Sequence, residues 1–196
     1  LLTTYGYVTA AASGGSTAEA APGVTDAGQT LRRIYGERDL LTSLVLEDGI
    51  TEDLDPEELA GLAALLVFQS KGGAESVGIP QMPTPRIQRA LDRTAEHWYE
   101  LQQAERGARL EPTPEPDPGL VWPIHRWARG RNLRDTLKGT ELAAGDFVRW
   151  ARQVIDLLDQ LSKVPGHPGL NAQCRRAADL VRRGVVAYSS VDTLDG

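Results

Sequence analysis

The stretch from Phe147 to Lys163 constrains the fold most tightly, because it has the periodicity of a helix with two unlike sides. At about 100° per residue, Phe147, Trp150, Val154, Leu157, Leu158 and Leu161 gather on one side of a helical wheel. That spacing makes a broad apolar stripe, and such a stripe needs neighbouring elements to cover it. Arg149, Gln153, Asp156, Gln160 and Lys163 fall within about ±40° of one another on the opposite side. Such a line of polar groups fits two descriptions. One is a solvated face with intrahelical pairs such as Arg149 and Gln153. The other is an edge that tracks an extended polymer, with arginine holding phosphate or stacking on a base and Gln or Asp bonding base edges.

The rest of the chain supplies helices to cover the stripe. Leu31, Ile34 and Tyr35, then Leu40, Leu41, Leu44 and Val45, recur at helical spacing and stop at Asp48-Gly49. Leu54-Asp55-Pro56-Glu57-Glu58 opens another helix: Asp55 caps, Pro56 fits the first position, and the glutamates suit the positive end of the dipole. It carries Leu59, Leu62, Leu66 and Val67 to about Ser70, and Lys71 to Pro83 reads as a loop. Thr84-Pro85 starts a long helix reaching about Gly107, and the four prolines between Glu111 and Gly119 make an extended connector. Short helices over Val121 to Ala128 and Leu133 to Leu137 precede the amphipathic one, and a last helix runs from Leu170 to Arg183. Leu1 to Val8 has β character, Ala10 to Pro22 is a small-residue linker, and Val24-Thr25 returns as a short strand. The expectation is an all-α multi-helix bundle over residues 26–196, with a β-hairpin and linker over 1–25. The abrupt opening points to a chain cut from something larger.

Several chemistries have no support in the sequence. There is no G-x-x-x-x-G-K-[ST] phosphate loop, no DEVH-like acidic box, no G-x-S-x-G elbow and no H-E-x-x-H. His97, His125 and His167 are too far apart for metal-ligand spacing, and the single Cys174 excludes an internal disulfide and a multi-cysteine zinc site. No catalytic residue and no metal ligand is therefore assigned. The apolar run Leu62 to Phe68 is too short to cross a bilayer, no signal peptide is legible, and a reducing cytoplasm is the expected compartment. The net charge of −6 argues against a protein that is basic everywhere but leaves room for a local stripe of arginine. Arginine outnumbers lysine 18 to 3, which fits either a GC-rich genome or planar contacts with phosphates and bases.

A second candidate stretch is Trp122 to Arg131, which interleaves aromatics with arginines. Trp122 and Trp127 serve either as stacking platforms or as core anchors for a short helix, the latter being favoured. Arg126, Arg129 and Arg131 are candidates for phosphate contact, and Arg152 is counted with Arg149, Gln153 and Asp156 as a candidate nucleic-acid contact.

Four stretches in order resemble the C-terminal DSHCT domain of Ski2-like (DEVH-type) RNA helicases, most closely the bacterial members. Val24 to Glu37 resembles the family's lead-in from its winged-helix region, and Leu54 to Phe68 its next helix. His125 to Gly130 followed by Leu142 to Trp150 resembles its central motif, and Gly184 to Tyr188 its C-terminus. The resemblance implies that Phe147 to Lys163 is a ratchet helix lining the path of a translocating single strand. Arg149 matches the family's helix-start arginine, and Asp156 an acidic position of the RNA-processing relatives. Gln153 departs from them, since arginine often stands there. DNA-repair cousins place a stacking aromatic where Asp156 stands, so the aspartate favours RNA.

The resemblance further implies single-stranded RNA as partner, with ATPase and winged-helix domains in the same parent polypeptide. ATP and Mg²⁺ would then belong to those ATPase domains, and this chain by itself would supply grip on a strand moved in the 3′-to-5′ direction. The rival readings are a protein-interaction module that docks accessory proteins and an unrelated helical enzyme.

Overall fold

The computed structural model describes residues 1–9, 23–70 and 82–188. Among these, nine α-helices follow in order: α1 (Asp26–Leu31), α2 (Asp39–Glu47), α3 (Pro56–Val67), α4 (Pro85–Gly107), α5 (Val121–Ala128), α6 (Leu133–Leu137), α7 (Ala144–Leu161), α8 (Pro168–Val181) and α9 (Gly184–Tyr188). A 3-10 turn, Pro118–Leu120, leads into α5.

The bundle is organised around α3. Every residue from Glu58 to Leu66 is buried, so this helix is covered all round, by α4, α5, α7 and α8. Its sequence suits that place: Ala60, Gly61, Ala63 and Ala64 let neighbours approach, and a Cβ on Gly61 would lie 3.4 Å from Val121 Cγ1. The apolar stripe of α7 packs on α3 and α8, with Phe147, Val154 and Leu158 fully buried. Ala151 and Ile155 widen the stripe beyond the positions first read from the wheel.

One buried carboxylate joins the starts of two helices. Glu58 accepts the Asp55 backbone N–H at 2.9 Å and the Thr84 hydroxyl at 2.7 Å, so it holds the N-terminus of α3 against that of α4. Arg86 pairs with Glu58 at 2.8 Å and also with Asp55. Burial pushes the Glu58 carboxyl up, but the hydrogen bonds from Asp55, Thr84 and Arg86 and the guanidinium charge outweigh it, and its pKa falls below the ordinary glutamate value.

The proline-rich connector is strapped down rather than loose. Glu105 on α4 accepts the Thr113 N–H at 2.7 Å and its hydroxyl at 2.6 Å, and Trp98 Nε1 donates to the Thr113 carbonyl at 2.9 Å. Asp117 accepts the Ser70 and Gly119 N–H groups at 2.8 and 2.9 Å.

The β-hairpin expected over residues 1–25 is not supported by the described residues of that segment. Among the described residues there is no strand, only an isolated antiparallel bridge between Val8 and Val24. The reason lies in where the backbone groups of the first residues are spent. Tyr5, Gly6 and Tyr7 donate to the carbonyls of Leu1, Thr3 and Leu2, with Gly6 at φ 74°, so these residues coil on themselves instead of laddering. Thr25 turns at once into the cap of α1, its hydroxyl accepting from Gly28 N–H at 3.1 Å. Gly28 must stay small there, since a Cβ would sit 2.2 Å from the Tyr7 carbonyl oxygen. The linker expected over Ala10 to Pro22 and most of the loop expected over Lys71 to Pro83 lie outside the described residues.

A second difference affects the site. The helical spacing through Leu31, Ile34 and Tyr35 is interrupted: α1 ends at Leu31, tight turns donate Arg33 N–H to Thr30 and Ile34 N–H to Leu31, and α2 starts only at Asp39. Ile34 turns into the core while Tyr35 is 76% exposed.

Candidate nucleic-acid interface

The polar edge of α7 lies open along its length. Arg149, Gln153 and Asp156 are exposed and Gln160 is half-buried. The helix ends at Leu161, so Lys163, also exposed, stands in the turn beyond it rather than on the edge. Seven residues separate Arg149 from Asp156, about 10 Å along the axis. Arg149 sits 3.5 Å from Asp146 and its guanidinium lies 5.3 Å from the centre of the Trp150 ring, which in turn meets Phe68 edge-on at 5.0 Å. These contacts hold the arginine along the helix without removing it from solvent, with a side chain 61% exposed.

A cleft of about 430 Å³ runs beside this edge. One wall is α7, through Trp150, Gln153, Asp156, Leu157 and Gln160; the other is the turn and first residues of α2, from Ile34 to Asp39 with Thr42. Leu66, Val67 and Gln69 close one side. The walls are tied together where the backbone N–H of Tyr35 donates to Gln160 Oε1 at 2.8 Å.

The wall's foundation is Arg38, buried at 4% exposure. Its Nη1 donates to the carbonyls of Leu66 and Phe68 at 3.1 Å each, its Nε to Pro114 at 3.0 Å and its Nη2 to Glu115 at 2.6 Å. A single guanidinium thus caps the end of α3 and clamps the connector. Burial pulls its pKa below the usual arginine value, with Glu37 and Asp117 opposing.

The other sequence-predicted residues fall elsewhere. Arg152 is half-buried, and its Nε and Nη2 are buried with no hydrogen-bond partner among the described residues. Arg126 donates to the Lys138 carbonyl at 2.9 Å and lies 4.9 Å over the Trp122 ring. Arg129 and Arg131 are exposed at the end of α5 and beyond it. None of these four lines the cleft, whereas Gln153 and Asp156 do, and Arg149 stands further along the same edge. Trp127 is a core anchor: buried, it donates to the Val181 carbonyl at 2.9 Å, packs edge-on against Phe147 at 5.5 Å, and carries Arg183 over its ring at 3.8 Å. Beside it His125 is buried, and burial, helped by Arg129, lowers its pKa, favouring the neutral ring.

Sequence reading missed Tyr35, Arg38 and the carboxylates of Glu37 and Asp39. The one available signal was Gly36, a helix breaker directly after Tyr35.

Among the described residues no three His, Cys, Asp or Glu side chains converge, and no helix is long and apolar enough to cross a membrane. The profile of the DSHCT (NUC185) domain matches residues 21–189. The chain belongs to the DSHCT family. This DSHCT chain is 44% identical to the probable helicase HelY of Mycobacterium tuberculosis over 86% of its own length and 20% of that protein. It is 27% identical to the ATP-dependent RNA helicase mtr4 of Schizosaccharomyces pombe over 80% of the chain and 14% of the relative. With the human Superkiller complex protein 2 it shares 28% identity over 79% of the chain and 12% of the relative. The DSHCT chain therefore spans about a fifth of the length of its mycobacterial relative, and less of the other two.

Proposed function

We propose that this chain is the strand-gripping C-terminal domain of an ATP-dependent, 3′-to-5′ RNA helicase of the Ski2-like group. The reading is supported above all by the open polar edge of α7, whose Arg149, Gln153 and Asp156 follow one line beside a cleft. Helicase names among the relatives, some of them RNA helicases, support the wider context. In this account the parent's ATPase domains, which would hold ATP and Mg²⁺, move the strand, and a winged-helix region precedes this domain. Arg149 takes a phosphate or stacks on a base, while Gln153 and Asp156 meet the next nucleotides. Arg126, Arg129, Arg131 and Arg152 supply positive charge around the path. The domain contributes unequal contacts that resist back-sliding, and the free energy comes from elsewhere.

Titration of the chain with a short single-stranded RNA at rising salt tests the reading. The expected affinity falls linearly with salt on logarithmic axes, and Arg149→Ala weakens it by about tenfold. Because Arg149 is exposed, its loss leaves the melting temperature within about 2 °C of the wild type. No salt-dependent binding, or an equal loss of folding stability on that substitution, contradicts the proposal.

A further inference from the structure

The cleft beside α7 has the wrong charge for a phosphate. Among the described residues its charged lining groups are Glu37, Arg38, Asp39 and Asp156, and the Arg38 guanidinium is committed to four carbonyls. Among the described residues, three carboxylates, the amides of Gln69, Gln153 and Gln160, Thr42, the Tyr35 hydroxyl and the Trp150 indole N–H make up the rest of its polar side chains. The candidate arginines, Arg149 included, are not among the lining residues. A strand laid along α7 would therefore keep its phosphates on the arginine side and turn something uncharged, rich in N–H donors, into the cleft.

Tyr35 indicates what that group is. Its side chain is exposed at the cleft while its backbone is pinned by Gln160, so the ring is offered to solvent from a fixed base. A phenol ring so placed is a stacking surface for a planar group. A lysine-rich peptide would also suit the carboxylates, but Arg149 stands on the same helix edge and would repel it, whereas it attracts a phosphate backbone.

We infer that the cleft between α7 and the turn before α2 is a base pocket selective for guanine. Tyr35 stacks on one unstacked base, and the Asp156 carboxylate accepts from its Watson–Crick edge. Guanine presents N1–H and N2–H side by side to one carboxylate, while uracil presents a single N–H between two carbonyl oxygens that the acidic lining disfavours. This inference rests on the single-strand reading above, since the strand must deliver the base.

Equilibrium titrations of the 196-residue chain with short uridine strands carrying one guanosine, one inosine or no replacement provide the test. The guanosine strand is expected to bind about tenfold more tightly than the all-uridine strand, with inosine, which lacks the amino group, between them. Asp156→Asn removes the preference and keeps the all-uridine affinity. Tyr35→Ala, with an unchanged melting curve, weakens all three strands by about tenfold, and Tyr35→Phe restores them. Equal affinity for the three strands, or wild-type binding by Tyr35→Ala, overturns the inference. If Arg149→Ala still weakens every strand in that case, the gripping role stands and only the base pocket falls. If no strand binds, or a lysine-rich peptide binds through Asp156 instead, both fall.

Discussion

The backbone N–H of Tyr35 donates to Gln160 Oε1 at 2.8 Å, joining the turn before α2 to the polar edge of α7 across 125 positions of sequence. That bond sets the spacing of the two cleft walls. It also explains why Gln160 is less exposed than Gln153 and Asp156 on the same edge.

Replacing Gln160 with Ala frees the Tyr35 N–H without emptying any part of the core. The expected cost is about 1 kcal/mol or less, since water reaches the freed group. Hydrogen exchange at the Tyr35 amide should accelerate selectively, while amides within α3 keep their protection. Unchanged exchange at Tyr35 would mean that the bond does not persist in solution.

Arg38 carries a larger share of the fold. Arg38→Met leaves the carbonyls of Leu66, Phe68, Pro114 and Glu115 without their donor. The expected loss is roughly 3 kcal/mol, measurable by urea unfolding. Arg38→Lys should recover little of it, because an ammonium group cannot serve four carbonyls spread across a guanidinium.

The pH dependence follows from Glu58, whose carboxyl pKa is lowered in the folded state. Its contribution is complete above the unfolded carboxyl value of about 4.3 and disappears as pH falls through the lower folded value. Melting temperature should therefore drop on acidification below about pH 4. Glu58→Gln should be less stable at neutral pH and show a flatter acid limb, checked by melting curves across pH.

Cys174 lies fully buried on α8, and burial pushes its thiol up to about 12. The native chain should resist thiol reagents at neutral pH, because the thiolate is scarce and the sulfur unreachable. Labelling should become complete in denaturant, and its rate in water should report opening of α8. Rapid labelling of the folded chain would contradict the packing described for α8.

What was legible in the sequence was whatever local chemistry decides. Thr84-Pro85 and the sequence around Asp55 marked the starts of α4 and α3, and the 3–4 spacing of Phe147 to Leu161 identified the buried side of α7. The site was only half readable. Arg149, Gln153 and Asp156 come from one helix, so a wheel places them. The opposite wall comes from Tyr35 and Arg38, whose partners are Gln160 and four carbonyls far along the chain. Periodicity holds no record of such contacts, so Tyr35 read as one more apolar helical position and nothing singled out Arg38. The N-terminal residues failed for the opposite reason: their β-type side chains were overruled by turns closed within seven residues.

The central claim is that a single strand lies along α7. Photocrosslinking of short RNAs bearing 4-thiouridine at successive positions, followed by mass-spectrometric mapping, tests it most directly. The account predicts crosslinks concentrated between Arg149 and Gln160 and at Tyr35, suppressed by high salt. Crosslinks spread over α4 or α8 with none on α7 would contradict it.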